Sequence, residues 1–227
     1  MKILIACEES QVVCKAFRKK GHEAYSCDIL PCSGNHPEWH IKGDIGNVLN
    51  GSFMAFGQFW TEAETVDCIN SWDLMIAFPP CTYLTVTGNK WMKPEYEKRF
   101  PDRKKQRENA VNFFMKLYNA EIDKVAIENP IGIMSTRFRK PNQIIHPYYF
   151  GDAERKSTCL WLKGLPELKH KKSEHVKPNI IKYKNGKGTD SKWHIDTMKL
   201  PKEERSKERS KTYQGIANAM ANQWSNI

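Results

Sequence analysis

The sequence predicts an α/β fold with a mostly parallel central sheet, on three observations. Short apolar runs, KILIA (2–6), DLMIAF (73–78) and KVAIEN (124–129), have the length and continuity of strands buried on both faces. Stretches with apolar residues at helical spacing lie between such runs, as parallel strands require of their crossovers. Asp28, Asp44, Cys81 and Glu128 each stand at the C-terminal end of a predicted strand, where open parallel sheets collect their reactive groups.

The elements follow in order. KILIA, then Val12, Val13, Ala16 and Phe17 at helical spacing, then Gly21 as a stop, read as strand, turn and helix. EAYSCDI is a second strand ending at Asp28, and HIKGDI a third ending at Asp44. Residues 46–70 carry Phe53, Phe56, Phe59 and Trp60 without a clean period and read as a variable insertion. DLMIAF, bounded by Pro79-Pro80, predicts a buried central strand followed by a loop with Cys81. From Asp102 to Ala120, Val111, Phe114, Leu117 and Tyr118 form one apolar stripe, so a helix should cover the sheet before KVAIEN, which Pro130 ends. STCLWLKGL suggests a strand near 157–163. Tyr213, Ile216, Ala217, Met220, Ala221 and Trp224 predict an amphipathic closing helix, and no internal repeat is visible.

At 227 residues one domain with insertions is expected. The absence of a run of about 18 apolar residues, and an N-terminus that turns charged early, predict a soluble intracellular protein with no membrane partner. Seven scattered cysteines suit a reducing compartment. Of the net charge of +10, +8 lies between Lys163 and Thr212, where fifteen Lys and Arg face seven Asp and Glu. Such a strip attracts polyanions, or is simply a solvated linker.

The sharpest local chemistry is AFPPCTYLT (77–85). Two prolines fix the backbone just past a buried strand and hold the Cys81 thiol with little freedom, which suits a nucleophile; a small buried cysteine at a strand end is the plainer alternative. AIENP (126–130) places Glu128 and Asn129 after another buried strand, again followed by a stiffening ring.

PPC followed by ENP, between strands of a Rossmann-like sheet, resembles the two catalytic motifs of DNA cytosine-5 methyltransferases. The likeness extends to small phage-encoded DNA methyltransferases and covers most of 1–162 and 209–227. It implies a Rossmann-like S-adenosylmethionine-dependent methyltransferase fold, with residues 163–208 as a short basic insertion in place of a target-recognition domain. It also implies S-adenosyl-L-methionine as cofactor, double- or single-stranded DNA as substrate, a monomer, and a bacterial or phage-infected cytoplasm.

In that family the chemistry needs a thiol and an acid, because C5 of cytosine is too weakly nucleophilic to take a methyl group unaided. Addition of Cys81 at C6 would give C5 carbanion character, which Glu128 would support at N3 and the exocyclic amine. SCDI resembles the motif whose acid meets the cofactor ribose, giving Asp28 and Ile29, and GDI the motif that meets adenine, giving Asp44 and Ile45. Ala6, Cys7, Glu8 and Pro79 would line the same pocket, and RSKTYQGIANAMANQW resembles the closing motif, placing Ser210, Thr212 and Gly215 near the methionine end. GDAERKSTCLWLKGLP resembles the strand motif with spaced arginines, making Arg155 a catalytic candidate and Lys156 a substrate contact beside Pro80, Thr82 and Tyr83. An extruded base would leave a gap that Tyr83, Trp91 or Trp193 could fill.

Three departures matter. The usual PCQ and ENV read here with Thr82 and Pro130. The loop after strand one, ACEESQ (6–11), has no glycine, so Glu8 and Glu9 meet the cofactor amine or cap the next helix. The recognition slot is only 46 residues, so weak sequence selectivity is expected. Cys27, Cys32, His36 and His40 fit no metal-ligand spacing well, so no metal is expected. Two further functions stay open: a related pyrimidine C5-modifying enzyme with another donor or a nucleotide acceptor, and a catalytically silent nucleic-acid-binding relative.

Overall fold

In the computed structural model all residues are described except 52–53, 56–57, 68–70, 184–185 and 187. The apolar runs become the strands of one sheet: β1 (Lys2–Ala6), β2 (Glu23–Asp28), β3 (His40–Lys42), β4 (Leu74–Ala77), β5 (Val125–Pro130), β6 (Gln143–Ile145) and β7 (Thr158–Lys163). Their order across the sheet is β3-β2-β1-β4-β5-β7-β6. The first five are parallel, while β7 runs antiparallel to both β5 and β6. The order 3-2-1-4-5 is that of a doubly wound sheet, and its direction reverses between β1 and β4. That switch point, where such sheets bind their ligands, falls between the loop after β1 and the loop carrying Cys81.

Both faces of the sheet are covered, which is why its strands read as unbroken apolar runs rather than alternating ones. On one face Leu4, Ala6, Met75, Ala77, Val125, Ile127 and Trp161 meet Val111, Phe114 and Leu117 of α3 (Arg103–Tyr118). Phe114 stands edge-on to Trp161, ring centres 5.2 Å apart. On the other face Ile3, Ile5, Leu74, Ile76, Ala126 and Leu160 pack against two helices. These are α1 (Val12–Arg18) and the closing helix α7 (Gln214–Trp224), which contributes Ile216, Ala217, Met220, Ala221 and Trp224.

Several expected boundaries move. The third strand stops at Lys42 because Asp44 leaves the ladder to cap α2 (Ile45–Leu49), its carboxylate accepting from Gly46 N at 2.6 Å. The variable insertion holds a small antiparallel sheet of Met54–Ala55, Gln58–Trp60 and Thr65–Asp67; Phe53 and Phe56 lie outside the described residues. The basic segment is structured: Ile180–Lys182 pairs with Thr189–Ser191, followed by α5 (Lys192–Met198) and α6 (Lys202–Ser210). Among the described residues no helix is long and apolar enough to cross a membrane. A short helix, α4 (Met134–Arg137), follows β5.

Candidate active site

Cys81 and Glu128 are brought near one another because Cys81 follows β4 and Glu128 lies toward the C-terminal end of the neighbouring strand β5. The segments that carry them are fastened at two points. Asn129, buried, donates from Nδ2 to the carbonyl of Pro79 at 2.9 Å. Farther out, Ile133 N donates to Leu84 O at 2.8 Å and Thr85 pairs with Gly132. Gly132 is needed for that approach, since a Cβ there would lie 2.1 Å from the Leu84 carbonyl oxygen. The loop then turns sharply after the thiol, Leu84 N and Thr85 N both donating to Cys81 O at 2.9 and 3.1 Å.

Three charges or potential charges meet here. Burial pushes the free Cys81 thiol above its ordinary pKa; the nearby Glu128 carboxylate adds to this, and the Lys156 ammonium works against both. Glu128 itself is raised by burial, with Lys156 opposing. Both groups therefore rest toward their protonated forms, and Lys156 is the cation that can draw the thiolate out.

Lys156 is held in turn by the basic segment and the chain that follows it. Its Nζ lies 3.4 Å from the Arg209 carbonyl oxygen, 5.8 Å from the centre of the Trp193 ring and 6.0 Å from that of Tyr213. Arg155, its neighbour, turns elsewhere: Nη2 donates to the carbonyl and hydroxyl of Thr189 at 3.0 and 3.1 Å. Of the two basic residues expected near the thiol, Lys156 is the one whose charge reaches it.

No family model and no curated protein matches the chain.

The loop after β1 makes a tight turn without glycine. Cys7 (φ 60°) and Gln11 (φ 58°) both sit in the left-handed region that favours glycine. Glu8, 4% exposed, accepts from Val13 N at 2.7 Å and Cys14 N at 3.1 Å, so it caps α1. Burial raises its pKa to about 7, against the pull of those two amides. Glu9 holds the 29–36 loop through the Ser33 hydroxyl and through its own carbonyl, which accepts from Ser33 N at 2.8 Å, while its Oε1 is buried without a partner.

At the ends of β2 and β3, Asp28 is half-buried and accepts from Leu30 N at 3.0 Å; burial raises its carboxyl. Ile29 beside it is 71% exposed. Burial raises the Cys7 and Cys27 thiols, Cys27 to about 12, and the charges of Asp28 and then Asp44 add to it. Ala6 and Ile45 are buried in the core. Pro79 is buried, Pro80 and Thr82 are exposed, and the Arg103 guanidinium lies 5.3 Å from the centre of the Tyr83 ring.

The closing motif divides. Ser210 is exposed and donates to Lys207 O at 2.8 Å, Thr212 is half-buried, and Gly215 serves packing. Its N donates to Asp152 Oδ2 at 2.7 Å, and a Cβ would fall 2.0 Å from Phe150 O. Trp91 lies edge-on to Tyr96 and Phe100, centres 5.0 and 5.4 Å away.

Cys27, Cys32, His36 and His40 do not converge. His40 bonds Ser26 Oγ at 2.8 Å and Leu30 O at 2.9 Å through its two ring nitrogens; His36 bonds Glu38 and stacks on Trp39. Among the described residues no three His, Cys, Asp or Glu are grouped to hold a metal ion. Sequence reasoning missed Gly132 and Arg209. The first was legible as a lone glycine between two isoleucines just after ENP; nothing local marked the second within a charged helix.

Proposed function

We propose that the chain is a DNA cytosine-5 methyltransferase with Cys81 as its nucleophile. The observation that carries this reading is that Cys81 and Glu128 stand toward the carboxyl ends of adjacent parallel strands, beside the switch point where such sheets bind ligands, with Lys156, just before antiparallel β7, near enough for its charge to act on both.

In this reading Cys81 Sγ adds to C6 of the ring and gives up its proton, with Lys156 favouring the thiolate. Glu128, held toward its protonated form, donates to N3 and accepts from the exocyclic amine, so the charge that moves toward C5 is stabilised as it develops. Once C5 has taken the methyl group, its remaining proton passes to solvent and Sγ departs as the thiolate, which restores the ring; Cys81 then takes back the proton it gave up. Asn129 keeps the loop in register through Pro79.

S-adenosyl-L-methionine, when bound, supplies an electrophilic methyl group on a positively charged sulfur. The groups near the ends of β1 and β2 suit it: the half-buried Asp28 carboxyl to accept from a ribose, the exposed Ile29 for a flat ring, and the unpartnered Glu9 Oε1 for a positively charged group. A dinucleotide pyrophosphate fits poorly, because Glu8 already occupies amides at the N-terminus of α1.

Incubation with labelled cofactor and cytosine-containing DNA, followed by nucleoside analysis, tests the reading. 5-Methylcytosine is expected from the wild type and none from Cys81→Ala; no product on either single- or double-stranded DNA rejects it. Product with a larger group at C5 would favour a different donor.

A further inference from the structure

Lys15 and Arg18 of α1, and Lys19 which ends it, stand at spacings of three and four and so share one face of the helix. They line an open cavity of about 570 Å³. Its other walls are Gly21 and His22, which lead into β2, and His36 and Trp39, which lead into β3. Among the described residues no carboxylate lines it, and none of the three cations is in an ion pair. Carboxylates do stand nearby, where Lys15 acts on Glu8 and Arg18 on Glu38, but each has another task. Glu8 caps the start of α1, and Glu38 is bonded to His36 at 2.8 Å.

A cation at a helix C-terminus is ordinary. Here, however, the last carbonyls need none: Lys15 O, Phe17 O and Arg18 O already accept from the amides of Lys19, Lys20, Gly21 and His22 at 2.9 to 3.2 Å. Two of the cations are instead fixed beside the cavity. Arg18 Nε donates to Ala24 O at 2.7 Å, with Cζ 4.7 Å from the centre of the Tyr25 ring and 4.9 Å from that of Trp39. Lys15 Nζ donates to Gly34 O at 3.2 Å. Both keep N–H donors to spare, and Lys19 is exposed. His22 adds another. Its Nδ1 lies 3.4 Å from Met1 N, which can only donate, so Nε2 carries the ring proton; that Nε2 is buried with no hydrogen-bond partner.

We propose that this cavity binds a phosphate monoester. The dianionic head would lie among Lys15, Arg18 and Lys19, with His22 as a further donor, a match of charge that a single carboxylate would not make. Trp39 is covered by His36 on one face, ring centres 3.8 Å apart, and by Arg18, so the organic part would lie along the ring edges rather than stack. The cavity flanks the entering ends of β2 and β3, whereas Cys81 and Glu128 stand at the leaving end of the same parallel strands. The site is therefore independent of the methyltransferase reading. The phosphate can belong to a small ester or to the end of a nucleic-acid strand, and the experiment separates these sources.

The full chain is titrated with phenyl phosphate and with phenol at fixed ionic strength, reading protection of Lys15 and Lys19 from acetic anhydride by peptide mass spectrometry. Phenyl phosphate should protect both saturably, about tenfold or more tighter than phenol, the worth of a charge-assisted contact. Lys19→Gln should weaken that binding severalfold, read at Lys15. Lys20→Gln, the same loss of charge next in the chain but outside the cavity wall, should leave it unchanged, and Cys81→Ala should bind as the wild type does. A single-stranded oligonucleotide is then compared with and without a 5′-phosphate. Protection that appears with the 5′-phosphate assigns the ligand to a strand end, and protection by phenyl phosphate alone to a small ester; either supports the site.

No saturable protection by phenyl phosphate, or protection by phenol as strong, overturns it. So does equal weakening by Lys19→Gln and Lys20→Gln, the mark of diffuse surface charge, or loss of protection in Cys81→Ala, which would place the ligand at the other end of the sheet.

Discussion

Asn129 Nδ2 donates to the carbonyl of Pro79 across 2.9 Å, joining the strand end that carries Glu128 to the loop that carries Cys81. The bond is buried, so it is expensive to leave unmade. Asn129→Ala should lower stability by about 1–3 kcal/mol, from the lost bond and the stranded carbonyl. Cys81 alkylation should also lose its single-exponential course as the loop samples other positions. Urea denaturation and alkylation kinetics check this; native values of both would show that the clamp does not position the thiol.

Gly132 lets the two loops close a second time. Gly132→Ala sets a methyl group 2.1 Å from Leu84 O, a backbone atom that cannot swing away. A loss of about 1–3 kcal/mol is expected from overpacking, with a lowered melting temperature. A variant as stable as the wild type would mean that the segments do not meet as described.

The charge balance at Cys81 can be read from its reactivity. Glu128 raises the thiol and Lys156 lowers it, after burial has raised it first. Glu128→Gln should therefore move the pH midpoint of Cys81 alkylation down, and Lys156→Met should move it up. Opposite or absent shifts contradict the placement of these three groups.

Much of the fold was legible in the residues. KILIA, DLMIAF and KVAIEN announced strands covered on both sides, and the α3 and α7 stripes announced what covers them. Gln143–Ile145 was not legible, because a three-residue strand held by β7 owes its pairing to a partner distant in sequence. The basic segment hid its helices for a related reason: α6 has no buried residue and carries no apolar stripe. At the site, Cys81 and Glu128 could be found because prolines follow or precede them at strand ends. The turn of Cys7 and Gln11 could not, since neither residue type advertises a positive φ. Arg155 and Lys156 were indistinguishable in sequence; only the geometry shows which faces the thiol.

Glu8 links pH to stability. It binds its proton more tightly folded than unfolded, with its pKa raised from the ordinary 4.5 to about 7 by burial. Its contribution is complete below about pH 4.5 and is lost as pH rises through about 7, a change of up to about 3 kcal/mol. Glu8→Gln should flatten that slope in denaturation measured across the interval. The same slope in both proteins would show that Glu8 is not buried against α1.

In the proposed reaction the Cys81 sulfur and the Glu128 carboxyl face one pyrimidine ring. An oligonucleotide with fluorine at C5 of its cytosine tests it, because fluorine cannot leave as a proton does and the sulfur adduct persists once the methyl group has been transferred. With cofactor present, peptide mass spectrometry should find the adduct on Cys81, absent from Cys81→Ala and strongly reduced in Glu128→Gln. Adduct on another cysteine, or on none in the wild type, would contradict the account.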